Sequence, residues 1–512
     1  MLVKTYGSAV FGIDATTITI EVNIANGVNF ILVGLPDSAV KESQQRIKAA
    51  FKNNNLKYPG KEITVNMAPA DIRKEGSTFD LSIAIGILAA SEQVLADSLN
   101  DYLIMGELSL DGNLNAMKGV LPIAVQAKKE GYKGIILPKE NAIEAAVVDG
   151  LKVYGANNLN EVVLFLNKKQ EIDPTIINIE EEFRKKLDAF EVDFKDVKGQ
   201  ENIKRAFEIA AAGGHNVILI GPPGSGKSML AKRLPTILPP MTLDESLETT
   251  KIHSVAGKTG KGVGLITQRP FRKPHHTISD VALVGGGGYP QPGEISLAHN
   301  GVLFLDELPE YKRTVLEVMR QPLEDRNVTI SRARFSIEFP AGFMLIAAMN
   351  PCPCGYYNHP DKDCLCGPGI VQKYLNRISG PLLDRIDLHV EVTPVSYEEL
   401  AHHTPKEGSQ DIRARVITAR LIQEKRYLKN ECTHCNAQMD SKEIQQHCRI
   451  NETGSNILKN AMDKMGLSAR AYDRILKVSR TIADLDNSNT IEANHLAEAI
   501  QMRSLDRENW AG

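Results

Sequence analysis

The residues best suited to chemistry by type and spacing lie in the stretch GPPGSGKS, from Gly221 to Ser228. Its pattern, G-x4-G-K-[ST], lets glycine backbone N–H groups surround phosphate oxygens. In this pattern the lysine, Lys227, reaches the β- and γ-phosphates, and the hydroxyl of Ser228 binds Mg2+. The sequence therefore predicts a site for ATP and Mg2+ that consists of Gly221, Pro222, Pro223, Gly224, Ser225, Gly226, Lys227 and Ser228.

Two adjacent carboxylates, Asp306 and Glu307, come directly after the apolar run VLFL. An uninterrupted run of this kind predicts a parallel strand that helices cover on both faces. At the end of such a strand, Asp306 can hold the water shell of Mg2+ and Glu307 can polarise an attacking water. A lone run of this kind is often structural, but its place after a phosphate-binding loop favours a Walker B pair, the name used below for Asp306 and Glu307.

Three further polar residues follow in an order that resembles AAA+ ATPases. Asn350 ends the apolar run FMLIAAMN and matches the sensor-1 position, where an asparagine orients water near the γ-phosphate. Arg385, in GPLLDRID, matches the arginine finger, which in rings completes the site of the neighbouring subunit. The alternative for Arg385 is a solvated salt bridge to a neighbouring aspartate. Arg470, in LSARAYDR, matches the sensor-2 arginine, with Arg474 as the second candidate.

The long segment between the phosphate-binding loop and Asp306 indicates which family of AAA+ ATPases the chain resembles. It contains SVAGKTGKGVGLITQRPFRKPHHTISDVALVGGGGYPQPGEISLAHNG and resembles the magnesium-chelatase-like AAA+ ATPases of the YifB/ComM type. The resemblance covers nearly the whole chain. It implies a homo-oligomeric, hexameric ATPase that couples ATP hydrolysis to DNA translocation or branch migration in natural transformation. The alternative is a chelatase-type ATPase that remodels a partner for metal insertion.

The N-terminal segments MAPADIRKEGSTFDLSIAIGILAAS, MGELSLDGNL and GYKGIILPKEN resemble the Lon-protease/ribosomal-S5-like fold. The ATPase subunit of magnesium chelatase lacks this domain, which favours the YifB/ComM type. Thr78 falls at the position of the protease nucleophile and Leu121 at the position of the lysine that activates it. Because leucine cannot act as a base, the Ser–Lys dyad is absent. We therefore predict a scaffold or assembly domain rather than a protease.

The elements that must position all these residues form a multidomain α/β chain. Short apolar stretches alternate with amphipathic ones in the N-terminal part, and helical patterns dominate the C-terminal part. The predicted organisation is a Lon/S5-like α+β domain over residues 1–168, a polar linker over 169–192, an AAA+ P-loop core with an insert in its second helix and a cysteine-rich insertion over 193–395, and a C-terminal helical lid of the magnesium-chelatase type over 396–512.

Basic residues form a local cluster although the net charge of the chain is −3. Residues 251–279 contain six Lys or Arg and no Asp or Glu, and the family resemblance places this basic insert at the channel of the ring. Flexible basic loops suit sequence-independent binding of phosphates, whereas a solvated loop is the alternative. The hairpin VTISRARFSIEF is a second candidate. The predicted DNA-binding residues are Lys258, Lys261, Arg269, Arg272, Lys273, Arg332 and Arg334.

Four of the seven cysteines lie within fifteen residues, as two C-x-C pairs: Cys352, Cys354, Cys364 and Cys366. Four thiolates can surround one tetrahedral Zn2+, although these pairs are closer than the common C-x2–4-C spacing. Reduced thiols in a loop are the alternative. Clustered cysteines favour a metal site in the reducing cytoplasm over disulfides. The sequence contains no run of eighteen apolar residues, and we therefore predict no membrane span.

Overall fold

The N-terminal part of the computed structural model is built on a seven-stranded sheet, whose strand order is β3-β4-β2-β1-β5-β8-β9. The long hairpin of β1 and β2 and the pair of β2 and β4 are antiparallel, and the other pairs are parallel. A small sheet of β6 and β7 lies apart from it. The strands are β1 (Leu2–Phe11), β2 (Asp14–Ala25), β3 (Phe30–Val33), β4 (Glu62–Ala68), β5 (Tyr102–Ile104), β6 (Glu107–Leu108), β7 (Leu114–Asn115), β8 (Gly134–Pro138) and β9 (Lys152–Ala156).

Helices complete the core of this N-terminal domain. One of them, Asp80–Ala90, is buried along its whole length because nearly all its side chains are apolar. The carboxylate of Asp80 is buried with it, and the guanidinium of Arg46 compensates this charge at 2.6 Å. The α-helices are α1 (Ser38–Lys41), α2 (Ser43–Asn53), α3 (Asp80–Ala90), α4 (Val120–Lys129), α5 (Ala142–Ala145) and α6 (Leu159–Leu166), with short 3-10 turns at Leu99–Asp101 and Lys139–Asn141.

The predicted ATP-binding motifs lie on a second, five-stranded parallel sheet with the order β11-β14-β17-β10-β18. Its central strands are buried on both faces, as the apolar runs predict. The sheet strands are β10 (Val217–Ile220), β11 (Phe271–Arg272), β14 (Val302–Leu305), β17 (Met344–Met349) and β18 (Leu388–Glu391), and the two small hairpins are β12 (Gly285–Gly286) with β13 (Gln291–Pro292) and β15 (Asn327–Arg332) with β16 (Phe335–Pro340).

Helices cover this sheet, and the C-terminal helices share one hydrophobic core with the helix that precedes β10. Around the sheet lie α7 (Glu201–Gly213), α8 (Lys227–Arg233), α9 (Leu243–Val255), α10 (Asp280–Val284), α11 (Glu294–Leu297), α12 (Arg313–Val318), α13 (Arg320–Asp325), α14 (Pro368–Leu375) and α15 (Gly380–Leu383). The C-terminal helices are α16 (Ser409–Tyr427), α17 (Ser441–His447), α18 (Glu452–Met465), α19 (Ala469–Leu485) and α20 (Ala493–Gln501), and 3-10 turns occur at Phe194–Asp196, Leu234–Thr236, Leu308–Glu310 and Asn436–Gln438.

The fold class agrees with the prediction, a multidomain α/β protein with a C-terminal helical region, whereas the predicted domain boundaries stay predictions. Ile172, Ile177 and Ile179 pack against the N-terminal core, so the start of the predicted linker adheres to that domain. No helix in the described ranges has both the length and the apolarity to cross a membrane. The structure describes residues 1–179, 181, 183, 190–260, 262–332, 335–359, 361–394, 407–428, 430 and 433–503, of which 332, 335 and 368 are described in their backbone alone.

Candidate nucleotide-binding site

The phosphate-binding loop connects the buried strand β10 to helix α8. Gly224 and Gly226 adopt φ angles of +79° and +88°, a left-handed conformation that a side chain would strain. Both glycines therefore allow the backbone to turn tightly before the helix begins at Lys227. The strand, loop and helix occur in the order that the sequence predicts.

The ammonium of Lys227 lies inside this loop. Its Nζ donates to the carbonyl oxygens of Gly221 at 2.7 Å and Pro222 at 2.8 Å, and it lies 3.4 Å from Oδ1 of Asn350. Lys227 is only 9% exposed, and this burial lowers the pKa of its ammonium. A buried cation beside the glycine-rich turn suits the binding of phosphate oxygens.

Ser228 and Asp306 meet at the mouth of the same loop. The Ser228 hydroxyl donates to Oδ2 of Asp306 at 2.6 Å, and Nζ of Lys273 lies 2.8 Å from the same oxygen. Burial raises the pKa of the Asp306 carboxyl, but the hydrogen bonds from Lys273 and Ser228 outweigh it and lower the pKa below its ordinary value. A hydroxyl and an ionised carboxylate this close are the hard oxygen ligands that Mg2+ prefers, so these residues fit the metal.

Glu307 occupies an uncommon backbone conformation. Its φ and ψ angles are +54° and +47°, a left-handed region in which non-glycine residues are rare and which recurs at active sites. Its side chain is 58% exposed, and Oε2 lies 3.2 Å from Nδ1 of His276. Glu307 is therefore accessible to water beside Asp306, as a general base requires.

Three adjacent parallel strands bring these residues together. The loop after β10, the Walker B pair after β14 and Asn350 after β17 all follow the carboxyl ends of neighbouring strands. Ligands of open α/β sheets bind at this edge. Of the predicted catalytic residues, Lys227, Asp306, Glu307 and Asn350 thus form one group.

The two predicted catalytic arginines are not part of the group that Lys227, Asp306, Glu307 and Asn350 form. Arg385 is bound to Oε1 of Glu324 at 2.5 Å and to the carbonyl of Pro381, and its side chain is 12% exposed. Its ion-pair partner is therefore Glu324 rather than a neighbouring aspartate. Arg470 is 63% exposed and lies 3.2 Å from Asp384. Their roles as arginine finger and sensor 2 stay predictions.

Arg474, the second candidate for sensor 2, faces inward. It lies 2.9 Å from Oδ1 of Asp387, whose side chain is 1% exposed. Burial raises the pKa of Asp387, but the charge of Arg474 and the contact with His215 hold this pKa far below its ordinary value. This pair joins helix α19 to the residue before β18, so Arg474 has a buried acidic partner, whereas the partner of Arg470, Asp384, is partly exposed.

Acidic partners from outside the basic insert neutralise several of its charges. Arg269 donates to the carbonyls of Pro239 and Asn300 and pairs with Glu245 at 3.0 Å. The alternative of a solvated loop does not describe these residues, because Arg269 is paired and Leu265 of the insert is buried in the N-terminal core. DNA binding by these residues stays a prediction.

The other predicted DNA-binding residues are placed differently from one another. Arg272 and Lys258 both pair with Glu294, at 2.6 Å and 3.2 Å. Arg332 ends strand β15 opposite Phe335, and only its backbone is described. Two of the predicted residues, Lys261 and Arg334, lie outside the described residues.

The four clustered thiols lie within 4.8 Å of one another. The Sγ atom of Cys352 is 3.2 Å from that of Cys354 and 3.6 Å from that of Cys364. Zn–S bonds of about 2.3 Å in a tetrahedron separate the sulfur atoms by about 3.8 Å, so this spacing fits a metal. Burial raises the pKa of Cys354, but hydrogen bonds from the Tyr356 backbone and from Cys352 outweigh it and lower the pKa to about 6.

Leu121, at the predicted position of the protease lysine, contacts a helix from outside the N-terminal domain. Leu121 is fully buried, and its backbone N–H donates to Glu144 at 3.2 Å and to the hydroxyl of Ser254 at 3.4 Å. Ser254 belongs to helix α9, which lies beside the sheet that carries the phosphate-binding loop. The position of the protease lysine is therefore a contact between domains.

Sequence reasoning missed the contacts that Lys273 and His276 make with the Walker B pair. The available signal was the segment KPHH, which follows the short strand β11. Because β11 pairs in parallel with β14, residues after both strands meet at one edge of the sheet. The sequence pattern did not show that β11 is the neighbour of β14 in the sheet, and this conclusion requires that strand order.

Comparisons with known proteins cover nearly the whole chain. Three family models match: "Subunit ChlI of Mg-chelatase" over residues 20–141, "Magnesium chelatase, subunit ChlI" over 193–400, and "Magnesium chelatase, subunit ChlI C-terminal" over 406–503. The "Competence protein ComM" of Haemophilus influenzae is 46% identical over 504 residues, which cover 98% of this chain and 97% of that protein. The "Uncharacterized protein YifB" of Escherichia coli is 45% identical over 506 residues, 98% of this chain and 96% of that protein. "Lon protease 2" of Bacillus subtilis is 31% identical over 189 residues, 31% of this chain and 33% of that protein.

Proposed function

This chain belongs to the ComM/YifB family of magnesium-chelatase-like AAA+ proteins, and on that premise we propose that it is a ring-forming, Mg2+-dependent ATPase that moves DNA strands. One observation carries the ATPase part: Lys227, Ser228, Asp306, Glu307 and Asn350 gather at the carboxyl ends of three adjacent strands. Cation, metal ligands, base and amide are the groups that phosphoryl transfer to water requires.

Each residue of this group has one role in the proposed reaction. Lys227 and the loop backbone hold the phosphates, and Ser228 and Asp306 hold Mg2+, which supplies neutralisation of phosphate charge when bound. Glu307 accepts a proton from the water that attacks the γ-phosphorus, while the bond to the β–γ bridging oxygen breaks. Asn350 orients that water beside Lys227.

The ring is the second part of the proposal. We assign Arg385 to the site of the neighbouring subunit and Arg470 to the nucleotide of its own subunit, in a homo-oligomer that we propose to be a hexamer. An arginine that acts across the interface explains why this residue has no contact with Lys227 or the Walker B pair in the described part of one chain. Exchange of its contact with Glu324 for the neighbour's nucleotide would accompany assembly.

DNA is the proposed substrate. The name competence protein, which the Haemophilus influenzae relative bears, favours a role in natural transformation, for which DNA is the material. Lys258 and Arg272 share one carboxylate, that of Glu294, so this group keeps an excess positive charge that phosphate can bind. The alternative, a chelatase-type ATPase that remodels a partner for metal insertion, is favoured by the match to magnesium chelatase subunit ChlI.

The ATPase rate with single-stranded, duplex and four-way-junction DNA tests the substrate. We expect stimulation by junction DNA at low salt, and a loss of about tenfold or more in DNA affinity when salt rises from 50 to 200 mM, because phosphate contacts release counterions. The variant Arg272→Ala should weaken this binding, whereas Lys312→Ala, which removes an exposed lysine outside the basic insert, should not. An ATPase that responds to a porphyrin or a chelatase partner, and to no DNA, would support the alternative.

The four clustered thiols form a further part of the proposal, a structural Zn2+ site. All four ligands come from the protein, as in structural rather than catalytic zinc sites. A Cβ on Gly355 would lie 2.4 Å from Cδ of Pro223, so the cysteine loop contacts the phosphate-binding loop directly. Metal here would brace both Asn350 and that loop. Reduced, metal-binding thiols agree with the proposed cytoplasmic location.

Removal of two ligands is expected to remove the metal. We predict about one Zn2+ per chain in the purified protein by elemental mass spectrometry, and almost none in the double variant Cys364→Ser/Cys366→Ser. The matched control is Cys448→Ser, which alters a buried thiol outside the cluster and should keep the zinc. Equal metal content in the wild type and the double variant, or iron in place of zinc, would contradict this assignment.

A further inference from the structure

One short segment, residues 273–276, contacts both carboxylates of the Walker B pair. Lys273 lies 2.8 Å from Oδ2 of Asp306, and His276 lies 3.2 Å from Oε2 of Glu307. The segment follows β11, the edge strand beside β14, so both of its contacts form where the two strands end. It is also the C-terminal part of the basic insert, which makes it a direct link between the insert and the proposed catalytic residues.

Donors from the chain occupy both lone pairs of Oδ2 of Asp306 and one lone pair of Oδ1. Oδ2 accepts from the Ser228 hydroxyl at 2.6 Å and from Lys273 at 2.8 Å, and Oδ1 accepts from the backbone N–H of Glu307 at 3.1 Å. A carboxylate oxygen has two lone pairs, so these two donors fill Oδ2. A metal ion or its bound water can therefore use Oδ2 only if one of these donors leaves.

Lys273 is the donor that can leave most easily. Its side chain is 40% exposed, so burial does not hold it in place. Its ammonium lies 5.1 Å from the ring centroid of Phe304, a contact that is weak at an exposed site. A lysine ammonium on a flexible four-carbon chain can swing into water without disturbing the backbone. Ser228, by contrast, is fixed in the first turn of helix α8.

We infer that Lys273 competes with Mg2+ for Asp306, and that this competition sets the Mg2+ concentration that nucleotide binding requires. The inference rests on the proposed ATPase function. When the contact of Lys273 with Asp306 is lost, the segment still contacts the Walker B pair through His276 and Glu307. Metal loading thereby loosens the end of the basic insert. Lys273 is a positioning residue in this scheme, since it acts through Asp306.

A Mg2+ titration with a fluorescent, non-hydrolysable ATP analogue tests this inference without turnover and without DNA. Partly exposed ion pairs shift an equilibrium by about two- to fivefold. We therefore expect Lys273→Ala and Lys273→Gln to bind the analogue at about two- to fivefold lower Mg2+ than the wild type. Lys273→Arg, which keeps the cation, should resemble the wild type. The control Lys312→Ala removes the same charge from an exposed site and should leave the requirement unchanged.

The possible outcomes separate this inference from the ATPase proposal. If the wild type binds the analogue and both neutral variants need as much Mg2+ as it does, or more, the competition is refuted while the ATPase proposal stands. If the folded wild type binds no analogue at any Mg2+ concentration, the ATPase proposal itself fails. Thermal unfolding of each variant confirms that the compared chains are folded.

Discussion

Replacement of Glu307 by glutamine is expected to stop ATP turnover while ATP binding persists. Glutamine has the size of glutamate but cannot accept the proton of the attacking water, so we expect a loss of about 10²- to 10⁴-fold in the hydrolysis rate. Binding should persist because Lys227, Ser228 and Asp306 are unchanged, and the exposed side chain of Glu307 supports no core packing. The measurements are phosphate release and equilibrium binding of a fluorescent ATP analogue.

Lys227→Ala is the matched comparison for this prediction. In the wild type the ammonium of Lys227 is buried inside the phosphate-binding loop, so removal of this ammonium is expected to abolish ATP binding rather than hydrolysis alone. The two variants together separate binding from chemistry. Turnover near the wild-type rate in Glu307→Gln would show that another group serves as the base, and loss of ATP binding in that variant would show that Glu307 supports the pocket.

Arg385→Ala is expected to have an effect of similar size, but through the neighbouring subunit. Arginine fingers change the rate of phosphoryl transfer by about 10³- to 10⁵-fold, so we expect turnover to collapse while each chain still binds ATP. Arg385 is held by Glu324 within its own chain and has no described contact with its own Lys227. Steady-state ATPase assays and ATP binding, measured at a protein concentration that supports assembly, check this result.

Mixing of variants shows whether the arginine acts across an interface. A mixture of Arg385→Ala and Lys227→Ala chains should regain activity, because an intact pocket of the first can meet an intact arginine of the second. Glu324→Gln is the control for a purely structural ion pair, and it should retain turnover. If Arg385→Ala alone keeps turnover, or if Glu324→Gln loses as much as Arg385→Ala, the finger assignment is wrong.

The N-terminal domain contacts the start of the basic insert through Ser254. Ser254 at the end of helix α9 donates to the buried carboxylate of Glu144, and the backbone N–H of Gly119 donates to the Ser254 carbonyl at 3.0 Å. Burial raises the pKa of Glu144, and the hydrogen bond from Ser254 opposes this rise. Ser254 lies near the start of the basic insert, which begins at residue 251. The N-terminal domain therefore holds the insert at its beginning, and the Walker B pair holds it at its end.

Local pattern explains what could be predicted for the proposed catalytic site. The spacing between Gly221 and Ser228 and the apolar runs before Asp306 and Asn350 are properties of short segments. Such segments carry a clear local signal, because glycine tolerates the conformation of the tight turn and an uninterrupted apolar run is typical of a strand buried on both faces. Parallel strands then bring their carboxyl ends to one edge.

The sequence by itself therefore determined the strand–loop–helix, the Walker B pair and the cysteine spacing, while the tertiary structure alone decided which charges are paired. The insert contains no acidic residue, yet Glu245, Glu294 and Asp306 neutralise Arg269, Arg272 and Lys273 from other elements. These partners are 22 to 33 residues apart along the chain. Strand order and helix packing bring them within 3 Å, and because Coulomb attraction depends on distance in space, composition of the segment alone did not reveal them.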